Sequence, residues 1–218
     1  MRFFCGFLLI LLTAFKAMVA EPPSPVTNIY ILRGAEQLNA PHRLSYRLVE
    51  WSQMRGKMIF PDIGYYDSGY GKDQIWFAGA GGDFIQNKRF SWEQEFYFAQ
   101  GMGPESRNQR SLWVWTVFDV SLPHRFSVQA VTYPSIPLNH AQRLGFDVDR
   151  IKVERRLSPH WRAGLGYTGG ICASRTWQNS TFATITRTTR AGNFEFWLQQ
   201  ASAGTQAQVR YLLITGDR

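Results

Sequence analysis

The sequence lacks long apolar runs that could form transmembrane helices, and it has few cysteines that could form disulfide bonds. After residue 20, no stretch approaches the roughly 18 uninterrupted apolar residues of a transmembrane helix. Cysteines number only 2, at Cys5 and Cys172, which excludes a small disulfide-rich scaffold. Charged residues make up 18% of the chain, against roughly 25% in typical soluble domains. No segment shows a convincing helical period of 3.6 residues.

The N-terminus has the layout of a cleavable signal peptide over residues 1–20. Arg2 precedes an apolar run from Phe3 to Phe15, and small residues follow up to Ala20. We therefore expect export, after which Cys172 is the only cysteine. Removal of Arg2 and Lys16 lowers the basic count from 24 to 22 against 16 acids, a net charge of +6. Since these charges are spread along the sequence, we expect no nucleic-acid partner.

The rest of the chain alternates apolar and polar residues with a period of two. In Phe90 to Ala99, positions 90, 92, 96 and 98 are aromatic, whereas 91, 93 and 95 are Ser, Glu and Glu. His160 to Ile171 repeats this pattern. Such alternation predicts β-strands with one apolar face. Leu144, Phe146 and Val148 are out of phase with Ile151 and Val153, which predicts a β-bulge near Asp149 and Arg150.

The pattern predicts ten strands and one barrel domain over residues 57–218. The strands are placed near 57–66, 73–86, 90–101, 110–121, 124–133, 143–156, 159–171, 178–189, 193–202 and 207–216. Residues 21–56, which open with Glu21 to Pro25, are interpreted as a lead-in with room for an extra strand or hairpin. Tight turns and mostly longer loops alternate between the strands, as in outer-membrane barrels.

In its strand pattern, and in hairpins such as Arg156 to Tyr167, the chain resembles the broad class of small bacterial outer-membrane β-barrel proteins. The resemblance covers about residues 57–216 and implies a closed antiparallel up-and-down transmembrane barrel of about ten strands, with eight or twelve as alternatives. It implies location in the outer membrane of a Gram-negative bacterium, with outer-membrane lipid as partner. A periplasmic or secreted lipocalin-like barrel is the soluble alternative. Aromatic residues near strand ends and the low charge content favour the membrane.

Little in the sequence indicates catalysis, and an enzyme is not favoured. His140, in a loop, is the one catalytic candidate, because His124 and His160 follow prolines in tight turns. No residues have the spacing of a metal or cofactor site, so we expect neither. An outer-membrane enzyme acting on lipid A or phospholipid remains an alternative function.

Six charged residues have the phase of the inward face, and the alternation alone therefore predicts that they are lumen charges. They are Glu93, Glu95, Asp119, Arg162, Glu195 and Arg210. In a narrow barrel such charges pair across the lumen and block it, which is the favoured interpretation, or they line a selective small pore. The resulting function hypothesis is a structural, surface-binding or narrow transport role, with a small molecule or a surface ligand as a further partner.

Overall fold

The computed structural model describes residues 25–39, 44–68, 71–140, 144–171, 177–201 and 204–216. The predicted signal peptide, residues 1–20, and Cys172 lie outside these ranges. Within the described ranges, no helix has the length and apolar character needed to cross a membrane.

The chain forms twelve strands rather than ten. They are β1 (Val26–Gln37), β2 (Leu44–Arg55), β3 (Met58–Ser68), β4 (Asp73–Gln86), β5 (Phe90–Gly101), β6 (Arg110–Ser121), β7 (Phe126–Pro137), β8 (Gly145–Arg156), β9 (Trp161–Gly170), β10 (Gln178–Thr188), β11 (Gly192–Ala201) and β12 (Gly204–Gly216). The two strands that the count of ten lacked are β1 and β2. They form a hairpin in the segment interpreted as a lead-in, and β1 is needed to close the barrel.

Every strand pairs antiparallel with its neighbours in the chain, and β1 pairs with β12 from Ile29 and Gly216 to Gln37 and Gln208. The barrel is therefore closed and leaves no sheet edge, which is the condition for a sheet to span lipid. Short turns connect β2 to β3, β4 to β5, β6 to β7, β8 to β9 and β10 to β11. We call this end of the barrel the turn end, and the opposite end, where most connections are longer, the loop end.

The bulge predicted in β8 is confirmed. The register of β8 shifts against β7 between Val131 and Thr132, and against β9 between Val148 and Ile151. Because a bulge inserts one extra residue, the consecutive residues Asp149 and Arg150 both turn towards the barrel interior.

The apolar faces of the strands point outward. Large apolar side chains are exposed all around the barrel wall, among them Val49, Ile63, Phe98, Phe146, Ile151, Val153, Leu165, Ile185, Phe196 and Leu198. On β5, Phe98 is 39% exposed, whereas Glu95 is 4% exposed on the inner face. This orientation is the reverse of a soluble barrel, in which the apolar face is inside, and it is that of a lipid-facing wall.

Candidate functional site

The inner face of β8, β9, β11 and β12 carries an alternating series of seven charges, which we call the charge ladder. In order of contact it consists of Arg162, Glu154, Lys152, Glu195, Arg150, Asp149 and Arg210. The nitrogen-to-oxygen distances between successive members range from 2.7 Å, for Lys152 and Glu195, to 3.6 Å, for Arg162 and Glu154. Four cations thus neutralise three carboxylates inside the barrel.

The β8 bulge makes this ladder possible. In a regular strand Asp149 and Arg150 would face opposite sides of the wall, but here both reach inward, 2.7 Å apart. Asp149 then accepts a hydrogen bond from Arg210 of β12 at 3.2 Å. The ladder therefore connects strands that are not neighbours in the barrel.

Glu195 is the most highly coordinated member of the ladder. Its Oε1 accepts a hydrogen bond from Lys152 Nζ at 2.7 Å, and its Oε2 accepts one from Trp197 Nε1 at 2.8 Å. Thr186 Oγ1 lies 3.0 Å from Glu154 Oε1 and 3.3 Å from Glu195 Oε1. These contacts supply the several partners that a buried charge needs.

Aromatic rings hold the ladder in position. The guanidinium carbon of Arg210 lies 3.5 Å from the ring centroid of Trp197, a cation–π contact. The ring of Phe182 also stacks on Trp197, with ring centroids 3.7 Å apart. Phe182 fits because the inward position opposite it on β9 is Gly166, where a Cβ atom would overlap the ring.

A second group of charges lies on the inner face of β2 to β5, and we call it the acidic wall: Glu50, Asp62, Glu93 and Glu95. The hydroxyl of Tyr97 lies 2.8 Å from Asp62 Oδ2 and 2.6 Å from Glu95 Oε2. A phenol donates only one hydrogen, so it satisfies one carboxylate at a time.

The acidic wall is short of positive charge. Asp62 is 0% exposed, and within the described residues its Oδ1 has no hydrogen-bond partner. Arg33 of β1 is the cation that interacts electrostatically with Glu50, Glu93 and Glu95. Its guanidinium also lies 5.0 Å from the ring centroid of Trp115. The two sides of the interior thus differ, one with paired charges and one with excess carboxylates.

An aromatic cluster occupies the part of the interior nearer the loop end. Phe77 and Tyr97 are buried with ring centroids 4.9 Å apart, and Trp113 packs against Phe77 at 5.9 Å. Trp115 stacks on Tyr133 at 5.5 Å. The sequence shows β6 to be apolar on both faces, and this packing inside the barrel is the reason.

A cavity of about 300 Å³ lies against the charge ladder. Its lining is almost entirely polar, and it includes Arg33 together with six ladder residues: Arg150, Lys152, Glu154, Arg162, Glu195 and Arg210. This volume is at the lower end of the range for small-molecule sites. The interior is therefore narrow and hydrophilic at this level.

The charges predicted for the lumen fall into three places. Arg162, Glu195 and Arg210 are ladder members, Glu93 and Glu95 belong to the acidic wall, and Asp119 lines the cavity, where it accepts a hydrogen bond from Gln129 at 3.0 Å. Their role in a passage stays a prediction. His140 is exposed beyond β7, away from this interior.

Several interior charges were missing from the sequence prediction: Glu50, Asp62, Asp149, Arg150, Lys152 and Glu154. The residues on β8 could have been assigned to the interior from the predicted bulge, because the bulge reverses which side chains face inward from Arg150 onward. Glu50 lies on β2, which was not predicted as a strand, so its phase could not be assigned.

Comparisons with known proteins identify the fold. No protein-family model and no curated protein sequence matches the chain. Among solved structures, the KdgM porin superposes with a TM-score of 0.57 and 10% identity, covering 87% of this chain and 99% of the porin. An outer-membrane channel from Pseudomonas putida F1 gives a TM-score of 0.52 at 10% identity, covering 90% of this chain and 97% of the channel. The chain thus has the fold of bacterial outer-membrane β-barrel proteins.

Proposed function

We propose that the chain is an outer-membrane channel with a narrow, charged lumen that passes small polar solutes. The observation that carries the proposal is the polar cavity of about 300 Å³ inside a closed barrel whose outer wall is apolar. A structural barrel without transport would not need a hydrated interior, and side chains would fill it.

The strand count supports a narrow passage rather than a wide one. Barrels of about 8 strands have interiors filled by side chains, whereas those with 16 to 18 strands leave an aqueous channel. A barrel of twelve strands lies between these limits, so the size of its inward side chains determines the width of the lumen. In this barrel the side chains of the charge ladder and the aromatic cluster narrow the lumen.

The interior charges named above are eight acids and five cations, and this excess of acids favours cations over anions, although the cavity itself is lined by three of these acids and all five cations. The acidic wall places four carboxylates opposite Arg33, while the ladder nearly neutralises itself. One structural neighbour is the KdgM porin in complex with disordered oligogalacturonate, superposed with a TM-score of 0.55 at 10% identity, covering 86% of this chain and 98% of the porin. Each galacturonate unit carries a carboxylate, and the acidic wall would repel such a chain. We therefore propose small neutral or cationic solutes as the cargo.

Solute flux tests this function. The full chain is refolded into liposomes, and swelling is followed with glycine, glucose and a trisaccharide as solutes. We expect rapid uptake of glycine, slower uptake of glucose and none of the trisaccharide. Liposomes with heat-denatured protein are the control. Equal rates with folded and denatured protein would refute the channel.

A further inference from the structure

The turn end of the barrel carries a ring of basic side chains. We call it the basic rim, and it consists of Arg55, Lys57, Lys88, Arg89, Arg125, Arg155, Arg156, Arg187 and Arg190. All nine side chains are exposed, and among the described residues none of them forms an ion pair. The rim therefore presents unneutralised positive charge to its surroundings.

The fold creates this cluster, which the sequence does not display. The basic residues are spread in ones and twos along the chain from residue 55 to residue 190, but every second connection of an up-and-down barrel lies at the same end. No Asp or Glu occurs in the described segments 55–58, 87–89, 121–125, 155–161 and 187–193. The charge of these described turn segments is thus of one sign, and Asp83, at the turn-end part of β4, interacts electrostatically with Lys57.

The rim adjoins the apolar outer wall. The guanidinium of Arg155 lies 5.7 Å from the ring centroid of Phe126, and that of Arg187 lies 5.7 Å from the ring centroid of Trp161. Both rings are exposed on the outside of the barrel. Aromatic rings with a cation beside them are suited to the boundary between acyl chains and headgroups. The cations then lie at the depth of lipid phosphates.

We propose that the basic rim binds the phosphate groups of anionic phospholipids at the membrane surface on the turn side. The geometry that carries this assignment is the ring of nine exposed cations, with no acid in the described turn segments, directly beside a lipid-facing belt. The assignment rests on the proposed membrane location of the barrel but not on conduction. Near an anionic surface each Lys or Arg strengthens binding roughly fivefold, so several together select anionic over zwitterionic lipid.

The test measures lipid binding to the refolded full chain in a neutral detergent. Phosphatidylglycerol and phosphatidylcholine with identical acyl chains are titrated, and bound lipid is counted by native mass spectrometry. We expect at least about tenfold tighter binding of phosphatidylglycerol, weakened by added salt. Equal affinity for the two lipids would overturn the proposal.

Two matched variants separate the rim from total charge. K57Q/K88Q/R89Q removes three turn-end cations, and K72Q/R107Q/R110Q removes three exposed loop-end cations. We expect the turn variant to lose at least about tenfold in phosphatidylglycerol affinity and the loop variant to keep it. Equal losses in both variants would contradict a specific rim.

A soluble competitor separates lipid from free phosphate. Glycerol phosphate at the same concentration as the lipid should displace little phosphatidylglycerol, because it lacks the acyl chains that contact the outer wall. Full displacement would show a simple anion site and overturn the lipid assignment. Since none of these readouts requires conduction, a failed flux assay with preserved lipid selectivity refutes the channel alone.

Discussion

Lys152 and Glu195 lie 2.7 Å apart across the barrel interior, on β8 and β11, two strands separated by β9 and β10. The lysine side chain is 2% exposed, and it also contacts Glu154 at 3.0 Å. A single buried cation thus holds two carboxylates from different strands. This contact is the centre of the charge ladder.

Replacement of this lysine should destabilise the barrel. Lys152→Met leaves Glu154 and Glu195 buried without their shared cation, and breaking a buried pair in this way costs about 3–5 kcal/mol. Urea unfolding in lipid vesicles, followed by tryptophan fluorescence, measures the change. The control Lys88→Met removes an exposed rim cation and should change the free energy of unfolding by less than about 0.5 kcal/mol. Similar losses in both variants would contradict the ladder as a stabilising network.

The acidic wall should make the channel cation-selective. In planar bilayers under a potassium chloride gradient, we expect the reversal potential to have the sign of potassium permeation. Glu93→Gln with Glu95→Gln should move it towards zero, because two inward carboxylates lose their charge. Substitution of Glu105, which is exposed in a loop, by Gln is the control and should leave it unchanged. A chloride-selective wild type would refute this expectation.

Gly166 should be required for the stack of Phe182 on Trp197. A Cβ at position 166 would overlap the Phe182 ring, so Gly166→Ala should destabilise the barrel by about 1–3 kcal/mol. In a Phe182→Ala background the same glycine substitution meets only the Ile151 carbonyl oxygen, at 2.8 Å, and should cost less. A double-mutant cycle of urea unfolding measures this difference. Additive effects would show that the glycine acts through another contact.

The strands with clean alternation could be predicted closely from the sequence. β4, β5 and β6 have the predicted limits, and the bulge in β8 followed from a change of phase. β1 was missed because Ile29, Tyr30, Ile31 and Leu32 form an uninterrupted apolar run without alternation. The total of twelve strands therefore needed the closure of β1 onto β12.

The partners in the interior could not be predicted in the same way. The alternation along a strand predicts which residues lie on the inner face. It does not predict that Lys152 contacts Glu195, because that contact depends on the registers of β8, β9, β10 and β11 taken together. The basic rim was missed for a related reason. Residues such as Arg55 and Arg190 are distant in sequence. They come together at the turn end only because the hairpins pair side by side in the closed barrel.

The outer wall should be protected by lipid. In a Cys5→Ser and Cys172→Ser background, Leu165→Cys places a thiol at a wall position that is 68% exposed, and this thiol should resist a polar, membrane-impermeant maleimide in liposomes. A cysteine at Arg156, on the turn end, should react with the reagent when it is present on that side. If the protein is instead soluble without detergent, and the cysteines at both positions react equally with the maleimide, a lipocalin-like barrel would be supported.

Single-channel recording on the refolded full chain in planar bilayers tests the channel most directly. We expect small, discrete conductance steps that are absent with heat-denatured protein. The steps should become larger in Arg210→Ala, because this substitution removes a large side chain of the ladder from the lumen. A folded barrel that inserts into the bilayer, protects a cysteine at position 165 from labelling and yet passes no current in either form would contradict the channel function.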